Sequence, residues 1–108
     1  MDSIEKLVYI NSLLSIYGEL LTNTQKDILS DYYNLNLSIT EISEERNISR
    51  SAVEDALKKG VKKLLSLENT LKLQEKREKT NDLLTLLENE KSEKKRKELI
   101  TSLREENK

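Results

Sequence analysis

Residues 38–60 read SITEISEERNISRSAVEDALKKG, and this stretch decides the fold. Ser38-Ile39-Thr40-Glu41 is a capping box: a hydroxyl and a carboxylate three residues apart can satisfy the backbone N–H groups left open at a helix start. The helix it opens is short and ends near Arg46. Ile39 and Ile42 face inward, and Ser43 lies beside them, where a close helix crossing needs a small residue. Asn47 is among the few non-glycine residue types at ease in the left-handed conformation of a tight turn. Ile48 plugs that turn from below, and Ser49 caps the next helix. Two capped helices joined by such a turn make a helix-turn-helix.

Upstream, the pattern predicts two supporting helices. The first spans about residues 3–18, with Ser3 as N-cap and Gly18 where a C-cap belongs. Leu7, Ile10, Leu14, Tyr17 and Leu21 recur at helical steps, and Ile4, Val8 and Leu13 widen the stripe. The second opens with another capping box, Thr22-Asn23-Thr24-Gln25, and buries Ile28, Leu29, Tyr32 and Tyr33 before Asn34 and Asn36 end it. The two tyrosines are in phase with the apolar stripe, which reads as core rather than as a base-stacking platform.

Downstream, Val53, Leu57, Gly60, Leu64, Leu67 and Leu71 continue one seam, so the fourth helix is expected to run long, over about residues 50–79. Gly60 weakens such a helix by roughly 1 kcal/mol relative to Ala, or else permits close packing or a bend. Thr80 is the expected cap of a fifth helix carrying Leu83, Leu84, Leu86 and Leu87. The polar run after it pairs Glu90 with Lys94 and Glu93 with Lys97 on a helix face. The expected organisation is an all-α protein: a helix-turn-helix domain over 1–79, including the long fourth helix, and a C-terminal helical extension over 80–108.

Composition narrows the function. With no Cys and no His, the commonest thiolate, imidazole and metal-ligand chemistries are missing, and no Gly-rich phosphate loop occurs. The chain is therefore expected to be a non-enzyme without catalytic, cofactor or metal residues. No apolar run is long enough to span a bilayer and the N-terminus lacks a basic leader pattern, so the expected location is the cytoplasm without membrane insertion. The net charge of −1 hides an asymmetry. Residues 1–48 hold three Lys/Arg against eight Asp/Glu, whereas 49–108 hold sixteen against twelve. An acidic half beside a basic half fits a polyanion bound on one side.

In a helix-turn-helix, the exposed N-terminal half of the second helix meets base edges or phosphates. Here it offers Arg50, Ser51, Glu54, Asp55 and Lys58, with Ser49 at the cap and Lys59, Lys62 and Lys63 as a basic strip beyond. A guanidinium at Arg50 can grip guanine or phosphate with two bonds. Glu54 and Asp55 oppose phosphate unless a cytosine amine donates to one of them.

Residues 20–64, LLTNTQKDILSDYYNLNLSITEISEERNISRSAVEDALKKGVKKL, resemble the fourth conserved region of bacterial sigma factors. Over about residues 5–90 the chain resembles more closely the YlxM family of small helix-turn-helix proteins. Tyr17, Leu21, Thr22, Gln25, Tyr32, Tyr33, Ser38, Glu41, Ile42, Ser49, Arg50, Ala52 and Val53 carry the likeness. That resemblance implies a DNA- or RNA-binding regulator linked to the signal recognition particle, with its RNA or its proteins as partners. Ser43 departs from the Ala of the sigma pattern, and Glu54 and Asp55 make the recognition face more acidic than a sigma factor's. The alternative is a protein-interaction adaptor, or a homodimer, using the apolar faces of helix one and helices four and five.

Overall fold

The computed structural model describes residues 2–90 and 92–106, and the described residues form helices and turns with no strand. The chain is all-α, as expected. It divides into two compact units, Met1–Leu71 and Lys72–Lys108.

The first unit is built around α4 (Arg50–Leu71), continuous through Gly60, onto which α1 (Ser3–Tyr17), α2 (Asn23–Leu29) and α3 (Ile39–Arg46) pack. The cap of α1 is Asp2, whose carboxylate accepts from the N–H of Glu5 at 2.8 Å, so Ser3 is the first helical residue rather than the cap. A carboxylate beside the positive end of the helix dipole is well placed there. Gly18 follows α1 in right-handed backbone (φ −54°) and leads into a 3₁₀ turn, Gly18–Leu20, instead of a left-handed stop.

Ile10, Leu13 and Tyr17 of α1 are buried, but Ile4 and Val8 are 75% and 57% exposed. The stripe predicted for this helix is therefore half used, because its first two turns reach past the core. Leu21, Ile28 and Leu29, with Ile42, Val53, Leu57 and Leu64, complete the core. Each such side chain contributes about 1.5–3 kcal/mol on full burial.

α2 opens with the predicted capping box, complete in both directions: Gln25 N–H to Thr22 Oγ1 at 3.2 Å and Thr22 N–H to Gln25 Oε1 at 3.4 Å. It then widens into a π turn, Ser30–Asn34, closed by Leu35 N–H donating to Ser30 O at 3.0 Å. Two long-range polar ties hold this turn. Asn11 Nδ2 donates to Tyr33 O at 2.8 Å, and Arg46 Nε donates to Asp31 Oδ2 at 2.8 Å. Asn36, with φ 58°, turns the chain toward α3.

Gly60 marks the closest approach in the unit. A Cβ there would sit 2.6 Å from Leu29 Cδ1 and 3.1 Å from Leu29 Cγ, so the absence of a side chain lets α2 and α4 meet. Further along α4, the inward stripe runs Val53, Leu57, Gly60, Leu64, Glu68. Leu71 is exposed, so the seam leaves the predicted line at its end. Glu68 takes the place in the core and accepts from Tyr17 Oη at 2.7 Å.

α4 ends at Leu71 rather than near Lys79, and Lys72 (φ 54°) is left-handed. In the second unit, α5 (Leu73–Asn89) already includes Thr80, so Thr80 is no cap. α5 and α6 (Glu93–Glu106) pack together as a hairpin. Glu90 has extended backbone after α5, which takes it off any helix face shared with Lys94. Among the described residues, no helix is long and apolar enough to cross a membrane.

Candidate nucleic-acid interface

The second helix of the motif is aimed by four devices, three of them local and readable from sequence. Ser38 Oγ accepts from Glu41 N–H at 3.0 Å and Glu41 Oε1 accepts from Ser38 N–H at 3.3 Å, fixing where α3 begins. At its other end, Ile48 N–H donates to Ser43 O at 3.1 Å and Asn47 N–H to Glu44 O at 3.4 Å, with Asn47 at φ 55°, ψ 46°. These paired bonds form a Schellman closure, which satisfies helix-end carbonyls while reversing the chain. Ser49 Oγ then accepts from Ala52 N–H at 3.0 Å and starts α4. The fourth device is the ion pair of Arg46 Nη2 with Asp31 Oδ2 at 2.7 Å, with the carboxylate almost fully enclosed.

Ser49, Arg50, Ser51, Glu54, Lys58, Lys59, Lys62 and Lys63 are all exposed. At ~100° per residue, Ser51, Asp55, Lys59 and Lys62 lie opposite the buried stripe of α4. Arg50, Glu54 and Lys58 fall on one flank, and Lys63 on the other. The predicted residues thus share one exposed helix but not one face. Lys59, Lys62 and Lys63 meet Ser66 around a shallow depression of about 250 Å³, and Ser66 was missed although it stands one turn beyond Lys62 and Lys63. At the helix start, the first-turn N–H groups of Arg50 and Ser51 have no acceptor within the helix.

Of the two carboxylates on this surface, Asp55 is paired with Lys59 at 3.0 Å. Both partners are well exposed, so the pair contributes little to stability and yields readily to a phosphate. Its effect is local: Asp55 is screened, and Lys59 is partly occupied.

Tyr32 and Tyr33 lie apart from this surface. Their rings meet edge to face at 4.9 Å, and both are half-buried against the core. They line a hollow of about 470 Å³ together with Lys6, Asn36 and Glu41. Burial, and then the neighbouring Tyr32, push the Tyr33 phenol above its ordinary value of 10.0.

A left-handed corner between two capped helices, with the second helix exposed along its outer side, makes this a helix-turn-helix protein. The comparison with known proteins agrees. Residues 4–104 match the family described as "Putative helix-turn-helix protein, YlxM / p13 like". The chain is 39% identical over 102 residues to a UPF0122 protein of Mycoplasma capricolum, covering 94% of this chain and 88% of that one. It is 43% identical over 79 residues to one of Clostridium acetobutylicum (73% and 68% covered). It is 40% identical over 91 residues to one of Ureaplasma parvum (84% and 92% covered). The chain belongs to this YlxM/p13-like family, UPF0122.

Proposed function

We propose that this protein is a non-catalytic, cytoplasmic regulator that binds DNA or RNA through the outer side of α4, acting in the signal recognition particle pathway. One observation carries the binding reading: Ser49 at the cap of α4 and the seven candidate residues from Arg50 to Lys63 on it are all exposed, while the inward stripe of that helix is locked into the core. Between Ser49 and Lys63 there are five basic side chains and two acidic ones, enough for salt-sensitive attraction to phosphate. Arg50 reads a base or grips a phosphate, Ser51 and Lys58 contact the ligand, and the depression beside Lys62, Lys63 and Ser66 receives a phosphate. The pathway assignment rests on the family resemblance, which makes the particle's RNA the first ligand to try.

The test is fluorescence anisotropy with signal-recognition RNA and with random duplex DNA across a salt series. Affinity should fall steeply with salt for at least one of them. Arg50→Ala should cost about 1–3 kcal/mol if Arg50 contacts a base. Unchanged affinity for both ligands in that variant would remove Arg50 from the interface. A second reading, a protein adaptor or homodimer, is favoured by the exposure of Ile4 and Val8 on α1 and of Leu65 on α4.

A further inference from the structure

The second unit contains an imbalance that the binding reading leaves unexplained. Its helices carry eight apolar side chains from Leu73 to Leu103, and none of them is buried. Four are half-covered: Leu83 and Leu87 of α5, and Leu99 and Leu103 of α6. The other four are open, with Leu86 56% exposed, Leu84 42% and Ile100 39%. A two-helix hairpin of this length has too little interior to hold itself together, and such scaffolds ordinarily gain a partner surface, a metal or a disulfide. With no Cys or His in the chain, a disulfide and the commonest metal sites are closed to it.

The open side of the hairpin is a groove of about 350 Å³, with Leu86 and Leu99 as its apolar lining and Glu90, Lys95, Glu98 and Ser102 around it. Its rim thus bears both signs of charge, with Lys95 and Glu98 one turn apart on α6. A uniformly charged rim would select a partner of opposite sign. The neighbouring Lys95 and Glu98 are self-complementary: a two-fold axis passing between them sets Lys95 of one copy opposite Glu98 of the other. Two-fold pairing is also the commonest way identical chains associate, and it uses the same patch twice.

We infer that the α5–α6 hairpin is a homodimerisation element, in which two hairpins pack groove to groove as a four-helix bundle around Leu86 and Leu99. The inference deepens the homodimer reading above: it keeps the α5 face, adds α6, and leaves out the faces of α1 and α4. No residue of α4 takes part in the proposed contact.

Sedimentation velocity on the full chain is the test, with Leu86→Lys as the probe. Leu86 is open and Lys is a good helix former, so the substitution spares the hairpin itself. The unmodified protein should sediment as a dimer of the 12.6 kDa chain. Leu86→Lys should weaken the dimer by roughly tenfold or more, as loss of a central apolar anchor does, with an unchanged far-UV circular dichroism spectrum. Lys95→Glu should also weaken it, and Lys95→Glu combined with Glu98→Lys should restore it. A monomer at all concentrations overturns the inference. A dimer indifferent to Leu86→Lys and to the Lys95 and Glu98 exchanges also overturns it, while leaving dimerisation through another face standing. Anisotropy on the Leu86→Lys monomer keeps this test separate from nucleic-acid binding by α4.

Discussion

Gly60→Ala sets two known effects against each other, and the structure decides the sign. In an exposed helix, replacing Gly by Ala stabilises by about 1 kcal/mol. Here the added Cβ would stand 2.6 Å from Leu29 Cδ1, well inside the ~3.5–4.0 Å at which carbon atoms attract. Turning the end of the Leu29 side chain does not clear it, since Cγ is also close at 3.1 Å. Leu29 itself is 0% exposed, enclosed within the core. Overpacking of this kind costs about 1–3 kcal/mol, so the net expectation is a loss of about 1 kcal/mol. That corresponds to a fall of about 4–8 °C in Tm for a domain of this size. The assay is urea denaturation followed by far-UV circular dichroism, run as a double-mutant cycle with Leu29→Ala. Leu29→Ala alone should cost about 2–5 kcal/mol, and within it Gly60→Ala should turn neutral or stabilising because the obstructing atoms are gone. If Gly60→Ala stabilises the otherwise unmodified protein, the steric account of this crossing is wrong.

Three further outcomes follow from the same packing. Tyr17→Phe removes a buried donor from the Glu68 carboxylate and should lower stability by about 1.5–3 kcal/mol in the same denaturation assay, as loss of a hydrogen bond to a charged group does. Asn47→Gly should be close to neutral, whereas Asn47→Val should lose about 1–2 kcal/mol or more, because only the second forces a β-branched side chain into φ 55°. Stability should also fall as the pH rises above 10.0, because the Tyr33 phenol keeps its proton more tightly folded than unfolded and the unfolded chain ionises first. Tyr33→Phe should flatten that part of the pH profile.

What the sequence discloses well is whatever acts within one turn of helix. The boxes at Thr22 and Ser38, the turn residue Asn47 and the cap at Ser49 each depend on groups no more than three or four residues apart, and each appears as read. What it discloses poorly is reach. The apolar stripe of α1 says which side is apolar but not where the core ends, and Ile4 and Val8, which widen it, do not enter the core. Tyr17 with Glu68 and Asp31 with Arg46 join residues 51 and 15 positions apart, and no local pattern announces such pairs. Lys72 gives no warning either: it is neither Gly nor Asn, yet it ends α4 in left-handed backbone, while Thr80 resembles a cap and is none. At the candidate interface, exposure was legible from helical period alone. The Asp55–Lys59 pair was open to the same reading, since it is an i,i+4 neighbour on that helix.

On the proposed function, the tether between Arg46 and Asp31 bears on how α4 would meet a ligand. Arg46 is the last residue of α3, and Asp31 belongs to the π turn after α2, so the corner that directs α4 is lashed to a second support. Its angle is therefore set before any ligand arrives. Little conformational freedom remains to be surrendered on docking, so a rigid outline should be recognised with less entropic loss than a hinged one would incur.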